Sequence, residues 1–339
     1  MNFIKSLFSF GEGSIAEKSV SYTSNSFFSS AVRKIFYPAD GSKELPYFSE
    51  KEMSTIRVQL EKSLNGTSFA LPCSDGVHLD AMWCKGENPL APTAVLFHGN
   101  NCTMLNMGRD AKWYKDHGMN VLMLTIRGYP GSEGSMVESG EMGAYLDTEA
   151  AMNYVIHEKG ISRDKVLVHS LSIGGLNGGF AAKHYGVTPV LVNTLISPKA
   201  VACKVGRELA GFWAFPLIIR GSVSGAFPKG ITKSLCDGDR TFEVITDSFN
   251  NLEHIKSAAK HAFIFSAKED EIMPPSFAED FFIAQHGNEP KSLQEREVYL
   301  IKKDEHIAWC EGYHNDSWIN SPEAVSKYEA FLRRNGFIH

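Results

Sequence analysis

Six short, nearly continuous apolar runs, at residues 93–97, 120–125, 165–169, 189–196, 261–265 and 297–301, constrain this chain more than any other feature. A strand that is apolar on both sides has both faces covered, as in a parallel sheet flanked by helices. The segments between the runs suit crossover helices. Over residues 139–159, Met142, Tyr145, Leu146, Met152, Val155 and Ile156 recur at helical spacing, a stripe that would face the sheet. Glu149 falls on the same stripe and interrupts it. Residues 322–335 suit a closing helix with Ser321 as its N-cap. Ahead of the runs, residues 68–73 and 77–83 read as two strands joined at Asp75-Gly76, a hairpin signal. The expectation is an α/β fold with an open, mostly parallel sheet and helices on both faces.

A chain of 339 residues has room for one large domain with an insertion, or for two small domains. Residues 1–65 read as an N-terminal extension, serine-rich over 11–30 and suited to a polar helix over 50–64. The main domain then runs over 66–339. Between about 201 and 258 the strand–helix rhythm breaks, with an aromatic run at 212–219 and a glycine-rich stretch at 221–230. The interval is too long for a plain connection. It reads as a lid or cap over the C-terminal edge of the sheet, the alternative being an elaborated crossover.

Composition excludes several classes of function. The formal net charge of -5 leaves no basic footprint for nucleic acid. Six singly scattered cysteines exclude zinc-ribbon spacing and read as reduced thiols in a cytoplasmic protein. Cys310, four positions before His314, reads as a structural residue rather than a reactive thiol. No apolar stretch has the 18 or so residues of a membrane helix. The first ten residues carry one lysine and a brief apolar patch without a signal-peptide pattern, which allows at most a peripheral membrane contact.

The chemistry concentrates at strand ends. The run at 165–169 leads into Ser170-Leu171-Ser172-Ile173-Gly174, the setting of a nucleophile elbow, G-x-S-x-G, whose strained turn lifts a serine hydroxyl above the sheet. Ser172 occupies the nucleophile position, Gly174 and Gly175 admit the helix backbone, and Ser170 replaces the first glycine. After the run at 93–97 comes His98-Gly99-Asn100-Asn101, where the backbone N–H of Asn100 can join that of Ile173 in an oxyanion hole. His98 reads as a residue steadying that turn. The run at 261–265 ends in Glu269, Asp270 and Glu271 before Pro274 and Pro275, and Asp270 is the preferred acid. His314, in Gly312-Tyr313-His314, is the preferred base over His306, and Asp316 reads as a loop-stabilising acid. Serine, acid and histidine thus follow one another in the chain at the ends of successive buried strands.

The stretches Phe97-His-Gly-Asn100, Arg127-Gly-Tyr-Pro-Gly-Ser-Glu-Gly134, Tyr145-Leu-Asp-Thr-Glu-Ala150, Ser170-Leu-Ser-Ile-Gly-Gly175, Asp270-Glu-Ile-Met-Pro-Pro275 and Tyr313-His-Asn-Asp-Ser-Trp318 carry a resemblance. From about residue 94 to the C-terminus the chain resembles the alpha/beta-hydrolase superfamily, in the branch typified by alpha/beta-hydrolase domain-containing protein 13. The resemblance implies the alpha/beta-hydrolase fold, hydrolysis, and Ser172, Asp270 and His314 as nucleophile, acid and base. The chain departs from that branch at Ser170 and in lacking the N-terminal membrane segment of some members.

The expected reaction is acyl transfer to water through Ser172, with His314 as base oriented by Asp270. These steps need no metal or organic cofactor. Phe212, Trp213 and Phe215, in the candidate lid, suggest an apolar pocket and hence a small-molecule acyl ester or thioester substrate. The alternatives are a serine peptidase of the same fold and a catalytically silent fold serving as a binding or host-interaction module.

Overall fold

The computed structural model describes residues 33–34, 36–202, 226–227, 229–287 and 292–339. The first long helix, α1 (Glu50–Leu64), begins at a reciprocal cap: the Ser49 hydroxyl accepts from the N–H of Glu52, and the Glu52 carboxylate accepts from the N–H of Ser49. It ends at Asn65, whose left-handed backbone turns the chain into β1 (Gly66–Pro72). β1 pairs antiparallel with β2 (His78–Cys84), and Gly76 in the Asp75-Gly76 turn takes a φ of 85° that disfavours residues with a Cβ.

Strands and helices then alternate: β3 (Thr93–Phe97), α2 (Gly108–Asp116), β4 (Asn120–Leu124), α3 (Met136–Asn153), β5 (Val166–Leu171), α4 (Gly175–Tyr185) and β6 (Thr188–Val192). A separate antiparallel hairpin follows, β7 (Lys229–Asp237) and β8 (Arg240–Asp247), and then α5 (Asn251–Lys256). The chain finishes with β9 (Phe263–Ala267), α6 (Ser276–His286), α7 (Leu293–His306), β10 (Ile307–Cys310) and α8 (Pro322–Arg334). The main sheet has eight strands in the order β1-β2-β4-β3-β5-β6-β9-β10. From β4 to β10 every neighbouring pair is parallel.

Alternation along β3 explains why its run is apolar throughout. Val95 and Phe97 enter a core with residues of α3 and α4, whereas Ala94 and Leu96 enter a core with residues of α2 and α8. Each large side chain buried in this way contributes about 1.5–3 kcal/mol. Ser321 caps α8 as its position suggests, accepting from the N–H of Ala324. Glu149, the interruption in the α3 stripe, is buried because polar partners reach it: Ser74 from the β1–β2 turn and the N–H of Cys236 from β7.

One strand expectation fails. Residues 297–301 belong to α7, capped by Ser292, and Val298, Leu300 and Ile301 there are 53%, 50% and 61% exposed. Four apolar or amphipathic residues, 298–301, between charged neighbours made a strand-like run, but only Tyr299 packs inward, against Phe282. The strand in this position is β10, whose Ile307 pairs with Ile264 of β9.

Of the interval 201–258, residues 203–225 and 228 lie outside the described residues, and with them Phe212, Trp213 and Phe215. The β7–β8 hairpin runs beside α3. Its tip is held by Asn153, by the Tyr185 hydroxyl and by an Arg163–Asp237 ion pair. Its base is held by buried Glu141, which accepts from the N–H groups of Asp247, Ser248 and Phe249 at 2.9 Å each. Among the described residues no helix is long and apolar enough to cross a membrane.

Candidate active site

β5 is one of the two central strands of the parallel part of the sheet, and the chain leaves it at Ser172 to enter α4. Ser172 has a φ of 53°, a left-handed conformation that is strained for a residue with a side chain. The turn is tight enough to demand glycine next to it. A Cβ on Gly174 would stand 2.6 Å from the Phe97 carbonyl oxygen and 2.7 Å from that of His98. A Cβ on Gly175 would collide with Thr194, whose hydroxyl donates to the Ser172 carbonyl.

β9 and β10 bring two further loops to the same end of the sheet. Asp270 follows β9 and His314 follows β10, and both are buried, as is Ser172. His314 Nδ1 lies 2.8 Å from Asp270 Oδ2, and His314 Nε2 lies 3.0 Å from Ser172 Oγ. A carboxylate can only accept, so Nδ1 carries the proton and Nε2 presents its lone pair to the serine hydroxyl. The other carboxylate oxygen of Asp270 accepts from the N–H groups of Ile272 at 2.8 Å and Met273 at 2.6 Å. Glu269 and Glu271, its neighbours in sequence, are exposed. An imidazole held in this way can take the hydroxyl proton as the oxygen attacks an electrophile.

The loop after β3 runs alongside the serine. A Cβ on Gly99 would stand 3.4 Å from Ser172 Cβ, so the loop that carries Asn100 passes close to the serine. Tyr129 donates its hydroxyl to Asn100 Oδ1 at 2.6 Å, which restrains that residue. His98 spans the turn: Nδ1 donates to the Gly99 carbonyl at 2.7 Å and Nε2 accepts from the N–H of Ile126 at 3.1 Å. Burial pushes its pKa down to about 4, so it is a neutral strut away from the serine. Arg127, two positions before Tyr129, is itself buried between Asp147 (2.6 Å) and Asp75 (2.7 Å). Burial pushes the Asp147 carboxyl up to about 6 against the pull of Arg127.

The rival site residues lie elsewhere or act locally. His306 is at the start of β10, the end of the sheet opposite Ser172. Asp316 accepts from the N–H of Tyr313 at 2.7 Å and closes the His314 loop, in which Gly312 has a φ of 100°. The Cys310 thiol is buried and pushed up to about 12 by burial, an inert form. Asn193 was not legible in the sequence. Just after β6, it donates to the His314 carbonyl at 2.8 Å and accepts from the N–H of Ala267 at 2.8 Å, joining the acid and base loops to the middle of the sheet. A lone Asn beyond a strand offers no pattern that would have singled it out.

Known proteins support the architecture. No family model matches the chain. Protein Bem46 of Schizosaccharomyces pombe is 26% identical over 254 residues, covering 72% of this chain and 71% of that protein. Several other curated relatives are matched over less than half of their length. Among solved structures, an alpha-beta hydrolase of Vibrio vulnificus superposes with a TM-score of 0.56 at 16% identity, covering 96% of this chain and 98% of that one. An esterase of Pyrococcus furiosus superposes with a TM-score of 0.55 at 16% identity, covering 87% and 97%. Strand order, elbow and these likenesses agree: the chain has the alpha/beta-hydrolase fold.

Proposed function

We propose that the chain is a serine hydrolase acting on small esters or thioesters of apolar acyl groups. The observation that carries the reading is the unbroken line of hydrogen bonds from Asp270 through His314 to Ser172, at 2.8 and 3.0 Å, on a serine held at a strained elbow. Ser172 Oγ attacks the acyl carbonyl while His314 Nε2 takes its proton, and the N–H groups of Asn100 and Ile173 hold the resulting oxyanion. His314 then gives that proton to the departing alcohol or thiol. Water repeats the sequence on the acyl-enzyme: His314 takes a proton from it, and collapse of the second tetrahedral intermediate releases the carboxylic acid and restores Ser172. Each oxyanion donor is worth on the order of 3 kcal/mol in the transition state. The insertion at about 201–258, with Phe212, Trp213 and Phe215, would supply the acyl pocket. That the Pyrococcus furiosus neighbour is an esterase favours an ester over a peptide substrate.

A fluorophosphonate probe tests the reading. Wild type is expected to label at Ser172 and Ser172→Ala to remain unlabelled; a folded wild type that does not label is a silent scaffold. A panel of p-nitrophenyl acyl esters, acyl thioesters and peptide anilides then separates esterase, thioesterase and peptidase.

A further inference from the structure

Three imidazoles from separate elements meet at the end of β9 opposite Ser172. His261 lies two residues before β9, His286 closes α6 and His306 closes α7. Each can offer one ring nitrogen, and these atoms all lie within 4.8 Å of one another. His286 Nδ1 donates to the Phe282 carbonyl at 3.1 Å, and His306 Nδ1 donates to the Ala262 carbonyl at 2.9 Å. A ring that gives its Nδ1 proton to a carbonyl keeps the Nε2 lone pair free, and such backbone anchors are the usual outer support of metal-bound histidine.

We propose that His261, His286 and His306 form a site for one divalent transition cation of the zinc class, with water in a fourth position. Nitrogens bound at 2.0–2.1 Å to a tetrahedral centre lie about 3.4 Å apart, so closure asks for at most about 1.4 Å of movement per pair. Exposed His261 has the freedom to supply it. An all-imidazole set selects zinc, copper, nickel or cobalt over magnesium and calcium. Bound there, the ion joins the ends of α6 and α7 to the start of β9. The three residues are 25 and 20 positions apart in sequence, a spacing that matches no short metal motif. The site is remote from Ser172 and does not depend on the hydrolase reading.

The test is a zinc titration of the untagged, chelator-stripped full chain against a chromophoric competitor. One equivalent is expected to bind with micromolar or tighter affinity, on the order of tenfold or more weaker in each of His261→Asn, His286→Asn and His306→Asn. Cobalt bound to wild type should show intense visible d–d bands that the variants lose. Zinc should raise the melting temperature of wild type alone. Because His261 is exposed, its variant keeps the test open if the other two fold poorly. Stoichiometric binding that survives in the triple variant, or no binding to wild type, would overturn the site.

Discussion

Ser170 and Gly178 fit as a pair: the Ser170 hydroxyl oxygen lies 2.2 Å from the point where a Cβ on residue 178 would stand, and the Ser170 Cβ lies 3.0 Å from it. The departure from glycine at the head of the elbow is matched by a glycine on α4, about one turn into the helix it faces. The Ser170 hydroxyl is buried and has no hydrogen-bond partner among the described residues. Its presence is tolerated because its space is kept open, not because it is bonded.

That pairing predicts coupling. Gly178→Ala should lower the denaturation midpoint despite the better helix propensity of alanine, and Ser170→Gly should be close to neutral alone. The double variant should recover, with a coupling of at least about 1 kcal/mol in a denaturant-melt cycle. Additive effects would show that the two positions are independent.

Asp270→Asn should leave the melting temperature nearly unchanged and reduce kcat by about 10⁴, because an amide no longer holds His314 with its proton on Nδ1. The check is ester turnover beside a thermal melt. A loss under tenfold would remove Asp270 from the reaction.

Asn193 allows stability and turnover to be separated. Asn193→Ala should cost about 1–3 kcal/mol by stranding the Ala267 N–H, and should lower kcat by up to about 100-fold as the His314 loop drifts. Asn193→Asp keeps the acceptor for Ala267 but loses the donor to the His314 carbonyl. It should recover most of the stability and little of the turnover. Parallel recovery of both would argue for a merely structural residue.

Arg127→Met leaves Asp147 buried without its partner and should destabilise the fold by about 3–5 kcal/mol. Arg127→Met with Asp147→Leu should be milder than Arg127→Met alone, as measured by chemical denaturation.

The pH dependence of stability should carry a contribution from His98. Its pKa is about 4 when folded and about 6.5 when unfolded, so between these values the unfolded chain holds more protons. The contribution is therefore fully present above about pH 6.5 and disappears as pH falls to about 4, up to about 3 kcal/mol. Unfolding free energies measured across that window should slope less steeply in His98→Asn. An unchanged slope would place the proton uptake on other buried histidines.

The parallel sheet was legible because its strands are covered on both faces, leaving no polar alternation to confuse the pattern. Ser172 and Asp270 were legible because each follows an apolar run that is a buried strand; His314 was legible from its Gly-x-His loop, although the run expected to precede it, 297–301, is helical and β10 takes that place. The run at 297–301 misled because local apolarity does not reveal whether a second layer exists to cover it, and Val298 and Ile301 face solvent instead. Asn193 and the three clustered histidines escaped for another reason. Their partners are distant in sequence, so only the folded chain brings them into register. Glu149 read as an interruption because its partners, the Ser74 hydroxyl and the backbone N–H of Cys236, carry no sequence signature.

At residue 172 the peptide adopts a shape that glycine takes freely and serine resists, by roughly 1–2 kcal/mol. A version of this protein with glycine there would have no hydroxyl to offer any electrophile, yet it should outlast the original on heating. Inertness and ruggedness would arrive together in one substitution, and the melting curve of the dead form would measure how much tension the living one holds at that single joint.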